Sequence, residues 1–434
     1  MQHETLLLQA ESSFGWMSGM PSGNLATYFQ GPIADAQKRI EERLKEILKL
    51  NPWLLGRLHK TSEGHGIALR WSDEDLTQEL DAIDQGQSSI FHIDPKELSG
   101  KLHLNQSYEA ITKIALKSSF AVPVGKVCLK KNRPLCSIIL SKTDDNAFVM
   151  QISISHIIAD GYTAYAILNM LLVPGVITAL DPKRDQSFND KLKEALGHKE
   201  KSLLDFSLPG ILNAIGKFLF LRPPKGYFFK VNMDAIEQEK KTAQANDPDA
   251  PRLSTNDILS STLARMMRFT SLYMAINFRR RFTFIGSDNK ESKGETLAGN
   301  YESGILFFEG DFNHPIQIRT AQGKGPDGRY QRPPNKSGAL SPIPGFWKRT
   351  FGRPGIITNW AGWDANFELP NAEPILFVPL NELDKPFFET AIIFKPRPGE
   401  VGVMLYSRQL KDINAIKDFS PIFGDTFSDT LFPE

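Results

Sequence analysis

A histidine and an aspartate four residues apart stand where one sequence period gives way to another. From Ile152 to His156 the sequence ISISH alternates apolar and polar residues as a half-buried strand does, and from Gly161 apolar residues recur at helical spacing. A neutral imidazole can take a proton from an alcohol or amine near neutral pH, because its unperturbed pKa is about 6.5. The pattern therefore predicts a general base at the end of a strand, although a histidine there is often purely structural. Asp160 could orient the imidazole or turn back to an arginine, and Gly161 is expected to supply backbone freedom at the turn.

The bulk composition favours a globular protein of two domains or lobes. The chain has 434 residues, 41% hydrophobic and 23% charged, and its net charge of +1 gives no overall attraction to nucleic acid. Cys128 and Cys136 are its only cysteines, and the histidines show no metal-ligand spacing. We therefore expect no metal, no nucleic-acid partner and a cytoplasmic monomer, while an organelle-targeting segment removed from the chain would be invisible here.

Alternating hairpins and helices, without a steady βαβ rhythm, predict an α+β fold with mixed sheets. The predicted elements are an amphipathic helix from Ile33 that Asn51 and Pro52 end, a strand at WLLGRL, a hairpin of PLCSIIL and NAFVMQISI, a charged helix NDKLKEALGHKEKS, a helix capped by Ser254, a strand LYMAINFRRRF, a hairpin of TAIIFK and VGVMLYS, and a short terminal helix. Three stretches follow: an N-terminal lobe over 1–185, a crossover over 186–230 and a C-terminal lobe over 231–434.

Several motifs resemble one known family and occur in its order. SHIIADG resembles the HxxxDG signature of the CoA-dependent acyltransferase superfamily, which includes BAHD acyltransferases, chloramphenicol acetyltransferase and the condensation domains of nonribosomal peptide synthesis. RLKEILKLNPWLLGRL, LSTNDILSSTLAR, NFRRRF, the pair Gly299 and Asn300, and TNWAGWDANFELP are similar to further BAHD-type elements. The resemblance covers nearly the whole chain.

The resemblance implies two chloramphenicol-acetyltransferase-like lobes with a channel between them. His156 would deprotonate the hydroxyl or amine of a small, lipophilic acceptor as it attacks the thioester of acyl-CoA, in a biosynthetic acyl transfer. Asp160 would be structural and paired with Arg279, and Gly161 and Asn300 would support the site.

Four further residues carry roles in which a functional and a structural interpretation stay open. Trp360, with Thr358 beside it, could stabilise the oxyanion through its indole N–H, or it could be a core aromatic. Ser254 and Thr255 could hold a phosphate oxygen of CoA at a helix N-terminus, or Ser254 could simply cap that helix.

The sequence also departs from the family pattern. Asn366, Phe367, Glu368, Leu369 and Pro370 stand where the family has D-F-G-W-G, and Ser155 precedes His156 where condensation domains have a second histidine. Two alternatives therefore stay open: a condensation-type enzyme that takes its acyl group from a carrier protein, and a catalytically inactive binding protein of the same fold.

The roles of two segments stay open, and the first of them, 319–353, has no counterpart in the family. The segment 319–353 has eight basic residues against one acid and many Gly and Pro, which predicts a long exposed loop. It could clamp CoA phosphates or an acidic carrier protein, although a solvated insertion is favoured. The apolar run 208–221 could touch a membrane peripherally or pack over the junction of the lobes.

Overall fold

A computed structural model gives the fold of the protein. The residues that it describes are 1–12, 16–62, 66–172, 175–204, 210, 212–213, 216, 224–325, 328–330, 332, 340–363, 368–381, 389–408, 410, 414–428 and 431. Most of the apolar run 208–221, and Asn366 and Phe367 of the divergent motif, lie outside the described residues.

The strands and helices alternate irregularly along the chain, as the sequence predicts. The strands are β1 (Gln2–Leu6), β2 (Gly23–Gln30), β3 (Arg57–Lys60), β4 (Ile67–Ser72), β5 (Phe91–Ile93), β6 (Cys136–Asp144), β7 (Ala147–Ile154), β8 (Lys225–Val231), β9 (Ser271–Asn277), β10 (Thr283–Ile285), β11 (Glu291–Lys293), β12 (Glu302–Phe308), β13 (Pro354–Asn359), β14 (Glu373–Pro379), β15 (Glu389–Phe394), β16 (Gly402–Ser407) and β17 (Phe423–Ser428). The α-helices of the described residues are α1 (Ile33–Leu50), α2 (Asp73–Asp84), α3 (Tyr108–Lys117), α4 (Gly125–Lys131), α5 (Gly161–Leu171), α6 (Phe188–Leu196), α7 (His198–Leu204), α8 (Met233–Asn246), α9 (Thr255–Met266), α10 (Pro315–Ala321), α11 (Phe346–Phe351) and α12 (Asn414–Phe419).

The chain forms two compact units that interleave along the sequence. Unit 1 contains Met1–Phe188, Asn277–Glu302 and Trp363–Glu382, and unit 2 contains Asn189–Ile276, Ser303–Gly362 and Leu383–Glu434. Each unit thus draws on segments that are far apart in the chain. The division predicted from the sequence, into 1–185, 186–230 and 231–434, stays a prediction.

Unit 1 is built around a five-stranded sheet of order β14-β2-β7-β6-β5. The predicted hairpin is its centre, because β6 pairs antiparallel with β7 from Cys136 to Asp144, and β2 covers the other edge of β7. The strands β5 and β6 are parallel, so the sheet is mixed. Every residue of β7 is buried, which fixes the position of the turn that follows it.

Unit 2 contains a seven-stranded sheet of order β12-β9-β13-β15-β16-β8-β17. The strand β13 runs parallel to both β9 and β15, while β15, β16, β8 and β17 pair antiparallel in succession. The predicted hairpin TAIIFK and VGVMLYS corresponds to β15 and β16. The α+β class with mixed sheets is thus confirmed.

The predicted helices and hairpins are present, with four differences. The residues Pro52–Leu55 form a 3₁₀ turn, so the strand predicted at WLLGRL begins only at Arg57. The predicted strand LYMAINFRRRF ends at Asn277. The charged helix breaks in two at Gly197, whose φ of +81° lies in the left-handed region that favours glycine. The strand β17 follows the predicted terminal helix and was not foreseen.

The prediction that 319–353 is a long exposed basic loop is wrong at both ends of the segment and at Arg332. The helix α10 reaches into it and α11 lies wholly within it. Arg332 is buried and pairs with Glu200 at 3.0 Å and with Asp311 at 3.4 Å. Because these acids come from elsewhere in the sequence, the local excess of positive charge overstates the charge that is left unpaired.

Both cysteines are free and buried. Burial raises the pKa of the Cys128 thiol to about 11 and that of the Cys136 thiol to about 12. Neither thiol is activated, since a reactive cysteine requires a lowered pKa.

Within the described ranges, we find no helix with the length and apolar character that crossing a bilayer would need.

Candidate active site

His156 lies in the short turn between β7 and α5. The backbone around it is tied down on both sides, because Ser155 N donates to Leu135 O at 2.8 Å and Ile158 N donates to Ser155 O at 3.1 Å. The imidazole is half-buried. Its Nδ1 atom is buried, and no group among the described residues hydrogen-bonds to it. The turn therefore presents a histidine whose Nδ1 is not held by a carboxylate of the described residues.

The carboxylate of Asp160 is directed to Arg279. Arg279 Nη1 donates to Asp160 Oδ2 at 2.6 Å, and Nη2 donates to Oδ1 at 3.2 Å, with both side chains almost completely buried. Asp160 is also the N-cap of α5, since Thr163 N donates to its Oδ1 at 3.0 Å. The sequence left two roles open for Asp160, orienting the imidazole or pairing with an arginine. In the structure it pairs with an arginine.

The guanidinium of Arg279 is fully satisfied by its surroundings. It donates to the carbonyl oxygens of Leu297 at 2.9 Å and Gly299 at 2.8 Å. Its Cζ lies 4.6 Å from the ring centre of Tyr162 and 5.2 Å from that of Tyr301. A desolvated charge needs such partners, because burying it without them is unfavourable.

A second buried ion pair supports the backbone of His156 from the other side. Asn300 Nδ2 donates to His156 O at 2.8 Å and to Glu11 Oε1 at 2.7 Å. Glu11 in turn accepts from Arg184 Nε at 3.1 Å, and Arg184 Nη2 donates to Ile158 O at 3.0 Å. Asn300 thus links the histidine turn to a buried carboxylate.

Two glycines are required here for different reasons. Gly299 has a φ of +116°, and a Cβ at this position would lie 2.4 Å from Arg184 Cζ. Gly161 does not adopt a left-handed φ, so the expectation that it supplies backbone freedom is wrong. Instead, a Cβ on Gly161 would lie 2.5 Å from the ring of Trp363, and the glycine allows that ring to approach the start of α5.

Glu302 is a titratable group of this site that the sequence did not reveal. It follows Asn300 and Tyr301, whose polar groups contact His156 and Asp160. Burial and the nearby Asp160 charge raise the pKa of Glu302 to about 7, against smaller opposing effects of His156 and Arg279. A carboxyl group that titrates near neutrality therefore shares the electrostatic environment of the histidine.

The two oxyanion candidates, Thr358 and Trp360, lie together in unit 2. Trp360 Nε1 donates to Thr358 Oγ1 at 3.0 Å at the end of β13. The indole N–H is therefore already engaged, whereas a hydroxyl that accepts one hydrogen bond can still donate another. Of the two groups, the Thr358 hydroxyl keeps a proton that this hydrogen bond does not use.

Ser254 adopts the structural role that the sequence also allowed. It caps α9 in a capping box, in which Ser254 Oγ accepts from Asp257 N at 3.3 Å and Asp257 Oδ2 accepts from Ser254 N at 2.7 Å. Asp257 is buried and pairs with Arg319 at 2.6 Å. An internal carboxylate thus already lies at this helix start, while Thr255 Oγ1 accepts from Lys240 Nζ at 3.3 Å.

A cleft of about 300 Å³ opens nearby in unit 2. It is lined by Lys240, Asp247, Leu253 and His314 among others, and none of the residues singled out from the sequence lines it.

The structure brings the predicted residues together in two groups. His156, Asp160, Gly161, Arg279 and Asn300 belong to unit 1, and Ser254, Thr255, Thr358 and Trp360 belong to unit 2. Of the contributors that the sequence missed, Thr163 had a local signal, since a polar residue three positions after an N-cap is typical of a capped helix start. Glu11, Arg184 and Glu302 had none, because their partners are distant in sequence.

The described residues contain no group of three or more His, Cys, Asp or Glu that could hold a metal ion.

Comparison with known proteins supports the fold. The chain is similar to the structure of F. sporotrichioides TRI101 complexed with coenzyme A and T-2, at 13% identity and a TM-score of 0.56, over 96% of this chain and 97% of that one. It is similar to the first condensation domain of the calcium-dependent antibiotic synthetase, at 10% identity and a TM-score of 0.54, over 93% and 89% of the two chains. It is also similar to polyketide synthase associated protein 5 from Mycobacterium tuberculosis, at 11% identity and a TM-score of 0.52, over 96% and 97%.

No family model matches the chain, and neither does any curated protein. The likeness in structure nevertheless extends over nearly the whole chain. The protein therefore has the two-lobed, chloramphenicol-acetyltransferase-like fold that TRI101 shares with condensation domains, and the resemblance drawn from the sequence is confirmed at the level of the fold.

The first prediction concerns the buried ion pair. Asp160→Ala should lower the free energy of unfolding by about 3 to 5 kcal/mol, because it leaves Arg279 charged and unpaired in the interior. Lys45 and Asp84 form a matched control, since their pair has the same 2.6 Å separation but an exposed carboxylate. Asp84→Ala should cost less than about 1 kcal/mol in the same urea titration. Equal losses in the two variants would contradict the role of burial.

The second prediction concerns the pH dependence of stability. The folded state holds the Glu302 proton up to a pKa of about 7, whereas the unfolded chain releases it near the ordinary value of 4.5. The contribution of Glu302 to stability is therefore present below the ordinary pKa and is lost as the pH rises towards 7. Glu302→Gln should remove this component, so the urea midpoints of wild type and variant should diverge with pH across this range. Parallel curves would show that the carboxyl titrates normally.

Proposed function

We propose that the protein transfers an acyl group from acyl-CoA to a hydroxyl or amine of a small acceptor, with His156 as general base. The observation that carries this proposal is the histidine at the end of β7. It is half-buried, its Nδ1 has no partner among the residues described, and Asp160 is committed to Arg279. These features suit a base that acts without an aspartate relay.

The chemistry needs no covalent enzyme intermediate. His156 accepts the proton of the acceptor while its oxygen or nitrogen attacks the thioester carbonyl. The tetrahedral intermediate then expels the CoA thiolate, and the imidazolium returns the proton to yield the free thiol. One histidine therefore serves both half-steps.

Thr358 is proposed as the donor that stabilises the oxyanion. Trp360 donates to Thr358 Oγ1, which fixes the hydroxyl and polarises it towards donating its own proton. Whether the two units form the channel implied by the resemblance stays a prediction.

The substrates follow from the likeness in fold and stay part of the proposal. TRI101 was solved with coenzyme A and T-2, which supports a CoA thioester as donor and a small-molecule acceptor here. Ser254 and Thr255 remain candidates for binding a CoA phosphate. They would do so only through polar groups that are not engaged in the capping box. A monomer acting in a biosynthetic step in the cytoplasm completes the proposal.

A second candidate function is supported by the likeness to a condensation domain. In that case a carrier protein, not free CoA, would deliver the acyl group. Turnover of free acyl-CoA by the purified protein would exclude strict dependence on a carrier. The third alternative, an inactive binding protein, requires that no acyl-CoA in a broad panel be consumed.

The third prediction tests the general base. With an acyl-CoA and an acceptor that support thiol release, His156→Ala should lower kcat by about 10² to 10⁴, the usual contribution of general-base catalysis. His103→Ala is a suitable control, because its ring bonds only to Gly100 O among the contacts recorded for it. Stopped thiol-release assays with matched thermal melts separate lost catalysis from lost folding. Unchanged turnover in the His156 variant would refute the proposal.

The fourth prediction tests the oxyanion donor. Thr358→Val keeps the shape of the side chain but removes the hydroxyl, and it should lower kcat by about 10² to 10³ at little change in KM. Thr358→Ser retains the hydroxyl and should keep most of the activity. If the valine and serine variants were equally active, Thr358 would have no part in the chemistry.

A further inference from the structure

We infer that the helix α11 is a docking site for a membrane surface that carries anionic lipid. This inference is independent of the proposed acyl transfer, because it concerns where the protein works and not what it converts. It rests on residues of unit 2 that the proposed chemistry does not use.

Three aromatic side chains of α11 are exposed to solvent. The exposed fractions are 70% for Trp347, 77% for Phe351 and 39% for Phe346. Trp347 and Phe351 are four residues apart and therefore share a helix face, where their rings stack at 5.9 Å with an interplanar angle of 8°. We call Phe346, Trp347 and Phe351 the aromatic face. Large exposed aromatic groups of this kind mark interaction sites, since they contribute nothing to the core.

The aromatic face is held in place by a rigid support. Asn213 Nδ2 donates to the carbonyl oxygens of Thr350 at 2.6 Å and Gly352 at 2.9 Å, at the end of α11. These carbonyls would otherwise lack partners within the helix. Leu212, next to Asn213 in the sequence, is 39% exposed.

Positive charge surrounds the aromatic face. Between Leu340 and Arg353 the sequence has three basic residues, Lys348, Arg349 and Arg353, and no acidic residue. Lys348 pairs with Glu309 at 2.5 Å. Arg353 is half-buried, burial lowers its pKa, and the charge of Glu389 acts on it. Arg349 is partly exposed, and no carboxylate among the described residues forms an ion pair with it, although its Nε is buried. Arg349 is therefore the cation of this face that an outside anion can approach.

Exposed aromatic side chains next to basic residues favour a lipid surface over other binding partners. Tryptophan is enriched at the membrane interface, and neighbouring Lys and Arg are attracted to anionic headgroups. A second copy of the chain is disfavoured, because a two-fold contact would bring the same arginines together. A pocket-binding partner is disfavoured too, since the rings protrude into solvent instead of lining a concave site.

The test is co-sedimentation of the full chain with vesicles. The wild type should sediment with vesicles of phosphatidylcholine mixed with phosphatidylserine, and less with phosphatidylcholine alone or at high salt. Trp347→Ser combined with Phe351→Ser should lower the bound fraction at least about tenfold, because two interfacial aromatic anchors are lost. Arg349→Gln should weaken binding only to the vesicles with phosphatidylserine.

Val176→Ser provides the matched control, since Val176 is 79% exposed but belongs to unit 1. It should bind as the wild type does, and far-ultraviolet circular dichroism should show that all variants are folded. Three outcomes would overturn the inference: no binding of the wild type to either vesicle, equal binding by the aromatic variant, or a dimer in analytical ultracentrifugation that the aromatic variant abolishes. The last result would assign the surface to a second copy.

Discussion

The ion pair between Asp160 and Arg279 is the constraint on which the histidine turn depends. Its two charges lie in the interior, where close geometry and further hydrogen bonds offset the cost of desolvation. Thr163 and Tyr301 donate to Asp160, and the carbonyl oxygens of Leu297 and Gly299 accept from Arg279. Because Asp160 also caps α5, the same carboxylate fixes the start of a helix and an arginine 119 residues away. The pair therefore orders the backbone on the carboxyl side of His156 without touching the imidazole.

The amino side of the turn is ordered by the strand, and its carbonyl by Asn300. These supports act on the main chain: Leu135 accepts from the backbone before the histidine, and Asn300 donates to the histidine carbonyl. Among the described residues, no group forms a hydrogen bond with Nδ1 of the His156 ring. In the proposed chemistry, backbone rigidity would position this ring, which differs from a triad in which a carboxylate holds it.

Sequence reasoning reached what local patterns determine. Neighbouring residues determine the change of period at His156, the cap at Ser254 and both hairpins. The structure contains all of these features. The ion pair with Arg279 came from a resemblance of motif order, since no local pattern joins residues so far apart. Glu11, Arg184 and the acids that pair with Arg332 are joined to their partners only by the fold. The charge of the segment 319–353 led to a wrong prediction for the same reason. The composition of a segment counts its cations but not the distant acids that neutralise them. The need for Gly161 was also misread, since a ring from Trp363 cannot be foreseen from the turn itself.

The burial of both cysteines has a practical consequence. With their pKa values at about 11 and 12, Cys128 and Cys136 are almost wholly protonated at neutral pH and shielded from reagents. A chromogenic disulfide added to the native protein should therefore draw little signal from these two thiols. A single cysteine engineered onto the surface would likewise accept a fluorophore selectively, so the wild-type background serves for optical labelling without prior removal of its own sulfhydryls.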